Sequence, residues 1–419
     1  MSIRELNRLS HDPPASAGRR RIVVVVCDSL GIGDAPDAAA YGDSGADTLG
    51  HVAAALGGLN LPTLGRWGIG HLTDVAGVPP VEPPAGVVAR LRPTAAGKDS
   101  TTGHWELMGC RTDQPFPTYP DGFPPEVITP FEESIGRPVL GNYPTSGTVI
   151  IEELGVEHVA TGHPIVYTSG DSVFQIATHV DVVPLARLYE WCEAARRILV
   201  GRHRVGRVIA RPFTGEPGAF TRTTDRRDFA VEPPEPTACD VVHGSGIPVK
   251  AVGKIEDLFV RRGITLSDHT GDDESGLAAI LRFLHEPGPA FVVANLVDLD
   301  QRYGHRLDVS GYGAALERID AGLERIAVRL GEDDVVIVCA DHGTDPTQTH
   351  STDHTREYVP MVAWTPALRS GADLGERSTF ADVGATVLDL FGLDPTLPAA
   401  GRSFAGAVDG DAGAPGLSP

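Results

Sequence analysis

Three short apolar runs stand out along the chain: IVVVVCD (22–28), FVVANLVDLD (291–300) and DVVIVCADHG (334–343), and each carries an acid at or near its end. Their apolar positions are continuous rather than alternating, the pattern of strands covered on both faces. Helical patterns lie between them. In YGAALERIDAGLERIAVRL (312–330) the apolar positions recur at three- and four-residue spacing. Strand and helix in alternation predict an α/β core with a mostly parallel sheet flanked by helices. Ligands of such sheets bind beyond the carboxyl ends of the strands, so Asp28, Asp300 and Asp341 are expected along one edge.

The middle of the chain reads differently. Pro-rich stretches (PFPTYPDGFPP, and VEPPEP at 231–236) bracket a region with its own strand and helix patterns, among them PIVYTSGD, VFQIATHV, LARLYEWCEAARRILV and RVGRVIARPF. This predicts an inserted α+β domain at 116–232, within a discontinuous core of 19–115 and 233–407. Residues 1–18 and 408–419 are polar and aperiodic, and read as a loose arm and tail.

Composition narrows the class. With 41% hydrophobic residues and 49 Gly in 419 residues, a sizeable core is available. The formal net charge of −21 argues against nucleic acid or an anionic membrane as partner, because both need a basic footprint. Nothing in the sequence calls for an obligate protein partner. Five Cys without a CxxC pair speak against a disulfide scaffold or a zinc ribbon, and point to reduced thiols and the cytoplasm. Arg19 to Arg21 before IVVVV resemble the start of a signal peptide, but Asp28 ends the apolar run too early for one.

The densest chemistry is DHG (341–343) followed by HSTDHTRE (350–357). Asp341, His342 and His354 supply a carboxylate and two imidazoles, DLDQRYGH adds Asp300 and His305, and the first strand adds Asp28. Three carboxylates and three histidines suit divalent manganese, zinc or magnesium, and six ligands suffice for two ions. Such a pair is the arrangement that clamps both oxygens of an in-line phosphoryl displacement. Singly, each residue has a plainer reading: a strand-end Asp as a helix cap, a lone His as an ordinary packed or surface residue. Jointly they are hard to explain as accident.

A second constellation, GKDSTTGHWELMG (97–109), sets Ser100, Thr101 and Thr102 in a Gly-bounded turn that a helix-like ELMG stretch follows. At least one of these hydroxyls is expected to cap a helix; another could be a nucleophile activated by metal. Lys98 and Lys254 are two of only three lysines. In the inserted region SGDS (169–172) and GRVIARPFTGEPGAFTRT (206–223) place Arg207, Arg211 and Arg222 near Gly turns. Arginines there could grip a phosphate in bidentate fashion, though surface arginines are usually just solvated. Asp171 could accept from sugar hydroxyls or complete an Asx-turn.

Taken together, VCDSLGIGDAPDA, GADTLGH, GKDSTTGHWELMG, YTSGDSVFQIA, GRVIARPFTGEPGAFTRT, NLVDLDQRYGHR, ADHGTDP and TDHTREYVP resemble the bacterial phosphopentomutases of the alkaline phosphatase superfamily, over about residues 20–405. The resemblance implies an alkaline-phosphatase-like core with an inserted cap and two manganese ions. Asp28, Asp341 and His342 would hold one ion, and Asp300, His305 and His354 the other. The family's nucleophile position falls on Ser100, where the usual residue is Thr. The stretch DPTQTHSTDH is one residue longer than usual, which makes His350 the alternative to His354; TDHTRE favours His354. Ser169, Gly170, Asp171, Arg207 and Arg222 of the cap, with Lys254 of the core, would contact substrate. The implied reaction interconverts the 1- and 5-phosphates of ribose and 2-deoxyribose, serving nucleoside salvage and pentose catabolism. It would pass through a phosphoserine and a 1,5-bisphosphate, primed by a sugar bisphosphate such as glucose 1,6-bisphosphate, with the cap keeping water out. The rivals are a metal-dependent phosphatase or phosphodiesterase on the same core, a cofactor-independent phosphoglycerate mutase, and a non-enzymatic binding protein.

Overall fold

The apolar run RIVVVVC forms a strand, Arg21–Cys27, whose residues from Ile22 onward are fully buried. Branched residues in an unbroken row pack well on a sheet that has no solvent face. A computed structural model describes residues 20–169 and 172–410, so the expected arm at 1–18 and the end of the expected tail, 411–419, lie outside the described residues. The described chain contains fourteen strands: β1 Arg21–Cys27, β2 Val87–Leu91, β3 Leu140–Pro144, β4 Ile165–Thr168, β5 Val173–His179, β6 Arg207–Thr214, β7 Thr221–Arg222, β8 Arg227–Ala230, β9 Val249–Val252, β10 Leu266–Asp268, β11 Ala290–Leu296, β12 Val335–Cys339, β13 Val359–Trp364 and β14 Ala372–Arg377.

Two compact units result. One spans residues up to Gln114 and from Pro233 onward; the other is Pro115–Glu232. The first is built on an eight-stranded sheet of order β10-β9-β11-β1-β12-β13-β2-β14. All its pairings are parallel except those of β13, which runs against both β12 and β2. The three apolar runs are therefore neighbours at the centre, with Val24 of β1 opposite Val293 of β11 on one side and Ile337 of β12 on the other. The helical pattern at 312–330 is realised as Val309–Ala327, which buries Tyr312, Leu316, Ile319, Leu323 and Ile326. This is the expected alkaline-phosphatase-like α/β core. Because β11, β1 and β12 are parallel and adjacent, the segments that leave their carboxyl ends emerge side by side.

The second unit has a mixed six-stranded sheet of order β3-β4-β5-β6-β7, with β8 paired to β6. Its core gathers Phe123, Phe131, Phe174, Leu188 and Trp191 between that sheet and the helices Pro125–Ile135 and Leu185–Ile198. A second cluster, around Ile150, Tyr167 and Phe213, lies under the helix Gly147–Thr161. Among the described residues no helix is long and apolar enough to cross a membrane.

Candidate active site

Asp28 directly follows β1, and Asp341 follows β12 by two residues. Asp300 lies four residues past β11 on a wide π-type turn, Leu299–Tyr303, and His305 on the tight 3-10 turn Gly304–Arg306 that continues it. Irregular turns of this kind re-aim side chains that a regular helix would send elsewhere. Ser29, beside Asp28, has φ of 76° although it is not glycine, a conformation that costs of order 1–3 kcal/mol. It is held there by two bonds: its N–H donates to Asp341 Oδ1 (3.1 Å), and its carbonyl accepts from the Tyr312 hydroxyl (2.8 Å).

The six sequence-predicted ligands converge. Asp300 Oδ1 is 3.2 Å from His305 Nε2 and 3.3 Å from His354 Nε2. His342 Nε2 is 3.4 Å from both Asp28 Oδ1 and Asp341 Oδ2. Two trios have ligand atoms close enough to share an ion, Asp300–His305–His354 and Asp28–Asp300–His342. Asp300 is thus common to both trios, and Asp341 stands beside the second. His350 is exposed, and His354 is the histidine at the cluster.

The donor set fits a pair of cations. Each imidazole turns Nδ1 to a backbone carbonyl: His305 to Thr352 (2.6 Å), His342 to Gly343 (3.1 Å) and His354 to Lys98 (2.9 Å). That leaves every Nε2 facing the carboxylates, the outer-layer arrangement typical of metal-ligating histidines. Asp300 Oδ1 and Asp341 Oδ2 are buried and complete no hydrogen bond, with only imidazole nitrogens standing 3.0–3.4 Å away, a costly state for an anion unless positive charge meets it. The electrostatics agree. Burial favours the neutral form of Asp28, but Lys254, then His342 and His104, hold its carboxyl well below the ordinary range. Burial disfavours a charged His342, yet Asp341, Asp28 and Asp300 raise it to about 10. Lys254, which burial would discharge, is held above its usual range by Asp28 and Asp300. Its Nζ lies 2.9 Å from Asp28 Oδ2 and 3.7 Å from Asp300 Oδ2, so this expected substrate contact sits among the acids.

Ser100 enters the same cluster. Its Oγ is 3.1 Å from His342 Nε2 and 3.5 Å from Asp28 Oδ1. The helix here begins at Ser100 itself and runs to Leu107, earlier than ELMG suggests. Its cap is the Asp99 carboxylate, which accepts from Thr102 N–H at 3.1 Å. The expectation that one of the three hydroxyls caps the helix is therefore corrected: a carboxylate two bonds from its own backbone reaches the free N–H better than a hydroxyl inside the helix. Gly103 lets this helix lie against the Asp341 backbone, because a Cβ would come within 2.8 Å of the Asp341 carbonyl carbon. His104, one turn after Ser100, points Nδ1 at Ser100 O (2.8 Å) and Asp341 Oδ2 (3.0 Å).

The remaining expected contacts belong to the second unit. Ser169 follows β4 and is partly buried; Gly170 and Asp171 lie outside the described residues. Arg207 opens β6, with Nη1 3.4 Å from Asp228 Oδ2. Arg222 lies exposed on β7, and its guanidinium and the Tyr167 hydroxyl both crowd the bare α-carbon of Gly147, in the first turn of the helix Gly147–Thr161. Arg211 donates through Nε to Gln175 Oε1 at 3.0 Å.

Sequence reasoning missed a layer of buried charges around the cluster. The Glu357 carboxylate accepts from Gly33 N–H (3.2 Å), Thr48 N–H (2.9 Å), the Thr48 hydroxyl (2.6 Å) and the Thr355 hydroxyl (2.5 Å), tying the segment after β1 to the one before β13. Burial still pushes this carboxyl up to about 7, with those four donors opposing it. Glu106 accepts from Thr94 and Ala95 N–H and from the Thr379 hydroxyl. Asp43 accepts from Arg356 N–H at 2.9 Å and is paired with Lys98 at 3.1 Å. The available signal was the charged pair Arg356–Glu357 set directly before an apolar strand in TDHTREYVP, where charges are out of place unless buried partners await them.

The Metalloenzyme superfamily model matches residues 20–395. A phosphopentomutase of Caldanaerobacter subterraneus subsp. tengcongensis is 51% identical over 376 residues, 90% of this chain and 95% of that protein. One from Anaeromyxobacter dehalogenans is 54% identical over 379 residues, 90% and 96% of the two chains. Another from Acetivibrio thermocellus is 49% identical over 389 residues, covering 93% of this chain and 100% of its own. At such identity over nearly the full length, the chain belongs to the phosphopentomutase family of the Metalloenzyme superfamily, and it is an isomerase.

Proposed function

We propose that the protein interconverts the 1- and 5-phosphates of ribose and of 2-deoxyribose by passing a phosphoryl group through Ser100. The observation that carries this reading is the position of the Ser100 Oγ, 3.1 Å from His342 Nε2 and 3.5 Å from Asp28 Oδ1, at the rim of a buried acid–imidazole cluster. Asp28, Asp341 and His342 would hold one divalent cation and Asp300, His305 and His354 a second, manganese by the family resemblance. When bound, such ions supply positive charge that lowers the pKa of the seryl hydroxyl and offsets charge on the transferring group.

In the resting state Ser100 carries the phosphoryl group, loaded by a sugar bisphosphate such as glucose 1,6-bisphosphate. The free hydroxyl of the incoming pentose phosphate attacks phosphorus. The seryl P–O bond breaks as the sugar's P–O bond forms, and the sugar proton ends on the seryl oxygen. The 1,5-bisphosphate then returns its other phosphate to Ser100. Asp28 and His342 orient the seryl oxygen. Lys254 balances the acids between turnovers and can turn to a substrate phosphate once cations take over that role. The region 116–232 acts as a substrate-binding cap, with Ser169, Gly170 and Asp171 for the sugar and Arg207 and Arg222 for the phosphate that does not react. Guanidinium pairs suit that task because they grip phosphate in bidentate fashion. Five buried free cysteines suit a reducing cytoplasm.

The test uses purified protein with manganese and the bisphosphate primer, following both isomers and free phosphate. Isomerisation with little phosphate release is expected, and net phosphate release would favour a phosphatase instead. Ser100→Ala should abolish isomerisation and the phosphoenzyme seen by intact mass; normal turnover of that variant would refute the assignment.

A further inference from the structure

The segment Pro93–Lys98, which leads into the Ser100 helix, is gripped from two sides. On its N–H side, Thr94 and Ala95 donate to Glu106 at 3.0 and 2.6 Å, and Glu106 belongs to the Ser100 helix itself. On its C=O side stands Arg356, whose residue is 3% exposed. Its Nη1 donates to the carbonyls of Ala95 (2.7 Å) and Gly97 (2.9 Å), its Nη2 to that of Pro93 (3.2 Å). The rest of the fork goes to Asp37, from Nε (3.1 Å) and Nη2 (3.0 Å). All five N–H groups are thereby used, an arrangement open to the rigid guanidinium and not to an ammonium.

Arg356 is two residues after His354, which itself holds the Lys98 carbonyl through Nδ1 at 2.9 Å. The segment is thus a strut between the Ser100 helix, through Glu106, and the His354 segment that leads into β13, through Arg356. From this geometry, and resting on the reading of Ser100 as the phosphoryl carrier, we infer that Arg356 is a positioning residue: it fixes how far the Ser100 hydroxyl stands from the His354 end of the acid–imidazole cluster. Since Glu106 anchors the same segment independently, losing the Arg356 fork loosens the spacing while the fold remains. A looser Ser100 is phosphorylated more slowly, but every molecule still reaches the phosphorylated state.

Arg356→Lys tests this in full-length enzyme with manganese and the bisphosphate primer. The expected kcat loss is about 10- to 100-fold, with KM for ribose 5-phosphate within about 3-fold and the rate of phosphoserine appearance falling in step with kcat. The plateau of phosphoserine per protein by intact mass should match the wild type. An unchanged kcat, or a loss of activity mirrored by a lower plateau, would overturn the inference, because the second result means only that less enzyme is folded. Asp37→Asn covers the event that Arg356→Lys does not fold: Asp37 is half exposed, and its loss should give the same signature at about 3-fold. No change in kcat there also overturns it. A wild type that forms no phosphoserine sinks the reading of Ser100 itself, and that result is visible before any variant is made.

Discussion

Replacing Gly103 by alanine separates two forces that usually act together. In the middle of a helix alanine is favoured over glycine by about 1 kcal/mol, so propensity alone predicts a more stable protein with normal activity. Packing predicts the reverse. A Cβ at Gly103 would lie 2.8 Å from the Asp341 carbonyl carbon and 2.9 Å from its Cβ, closer still to its carbonyl oxygen, where ordinary contact starts at 3.4 Å. The Ser100 helix must therefore back away from Asp341 by at least 0.6 Å, the difference between 3.4 and 2.8 Å, and by about 1 Å to clear the oxygen. Overpacking of this kind costs about 1–3 kcal/mol, more than propensity returns. The same retreat carries Ser100 from His342, which follows Asp341 in sequence. A misplacement near 1 Å costs about 100-fold in rate, equivalent to about 2.7 kcal/mol in the barrier. Isomerisation kinetics and thermal unfolding of Gly103→Ala, measured side by side, decide the matter. A kcat within a few-fold of wild type together with a higher Tm would show that the helix does not bear on Asp341 as described.

Two further outcomes follow from the structure. His350→Ala should leave kcat within about 2-fold, because that side chain is exposed away from the cluster, whereas His354→Ala should lower kcat by at least about 100-fold and release one equivalent of bound manganese by elemental analysis; equal effects would put the wrong histidine at the site. Asp273 is raised to about 7 by burial, then by Asp298, from an ordinary 3.8. The folded carboxyl holds its proton to about pH 7 and the unfolded one only to about 3.8, so the wild type loses stability as pH climbs through that window. Asp273→Asn keeps an acceptor for the Asp298 N–H without that penalty. Its stability relative to wild type should rise from pH 4 to pH 8 by about 2–4 kcal/mol in urea unfolding, and a pH-independent difference would refute the assignment.

Much of the site could be read in advance because of how a parallel sheet is made. A strand buried on both faces leaves an unbroken apolar run, and the first polar residues after it mark the edge where ligands bind. Asp28, Asp300 and Asp341 announce themselves in this way, and the histidines follow by proximity in sequence. The cap of the Ser100 helix differs from the expected hydroxyls because Asp shares the capping chemistry of Ser and Thr, and local sequence does not mark whether the helix starts at Ser100 or later.

The residues alone thus determined the α/β class, the three central strands and the acid and imidazole donors that gather beyond the strand ends, since these depend on local periodicity and on side-chain chemistry. Only the tertiary structure decided how those donors are shared, with Asp300 facing both trios and Lys254 placed among the acids. It also decided which buried charges hold the loops in register. Arg356 meets carbonyls about 260 positions away in the chain, and Glu357 meets Thr48 across a similar span. No periodicity encodes such a meeting, because it arises only when the sheet has brought separate segments to one edge and each buried charge must find a partner there.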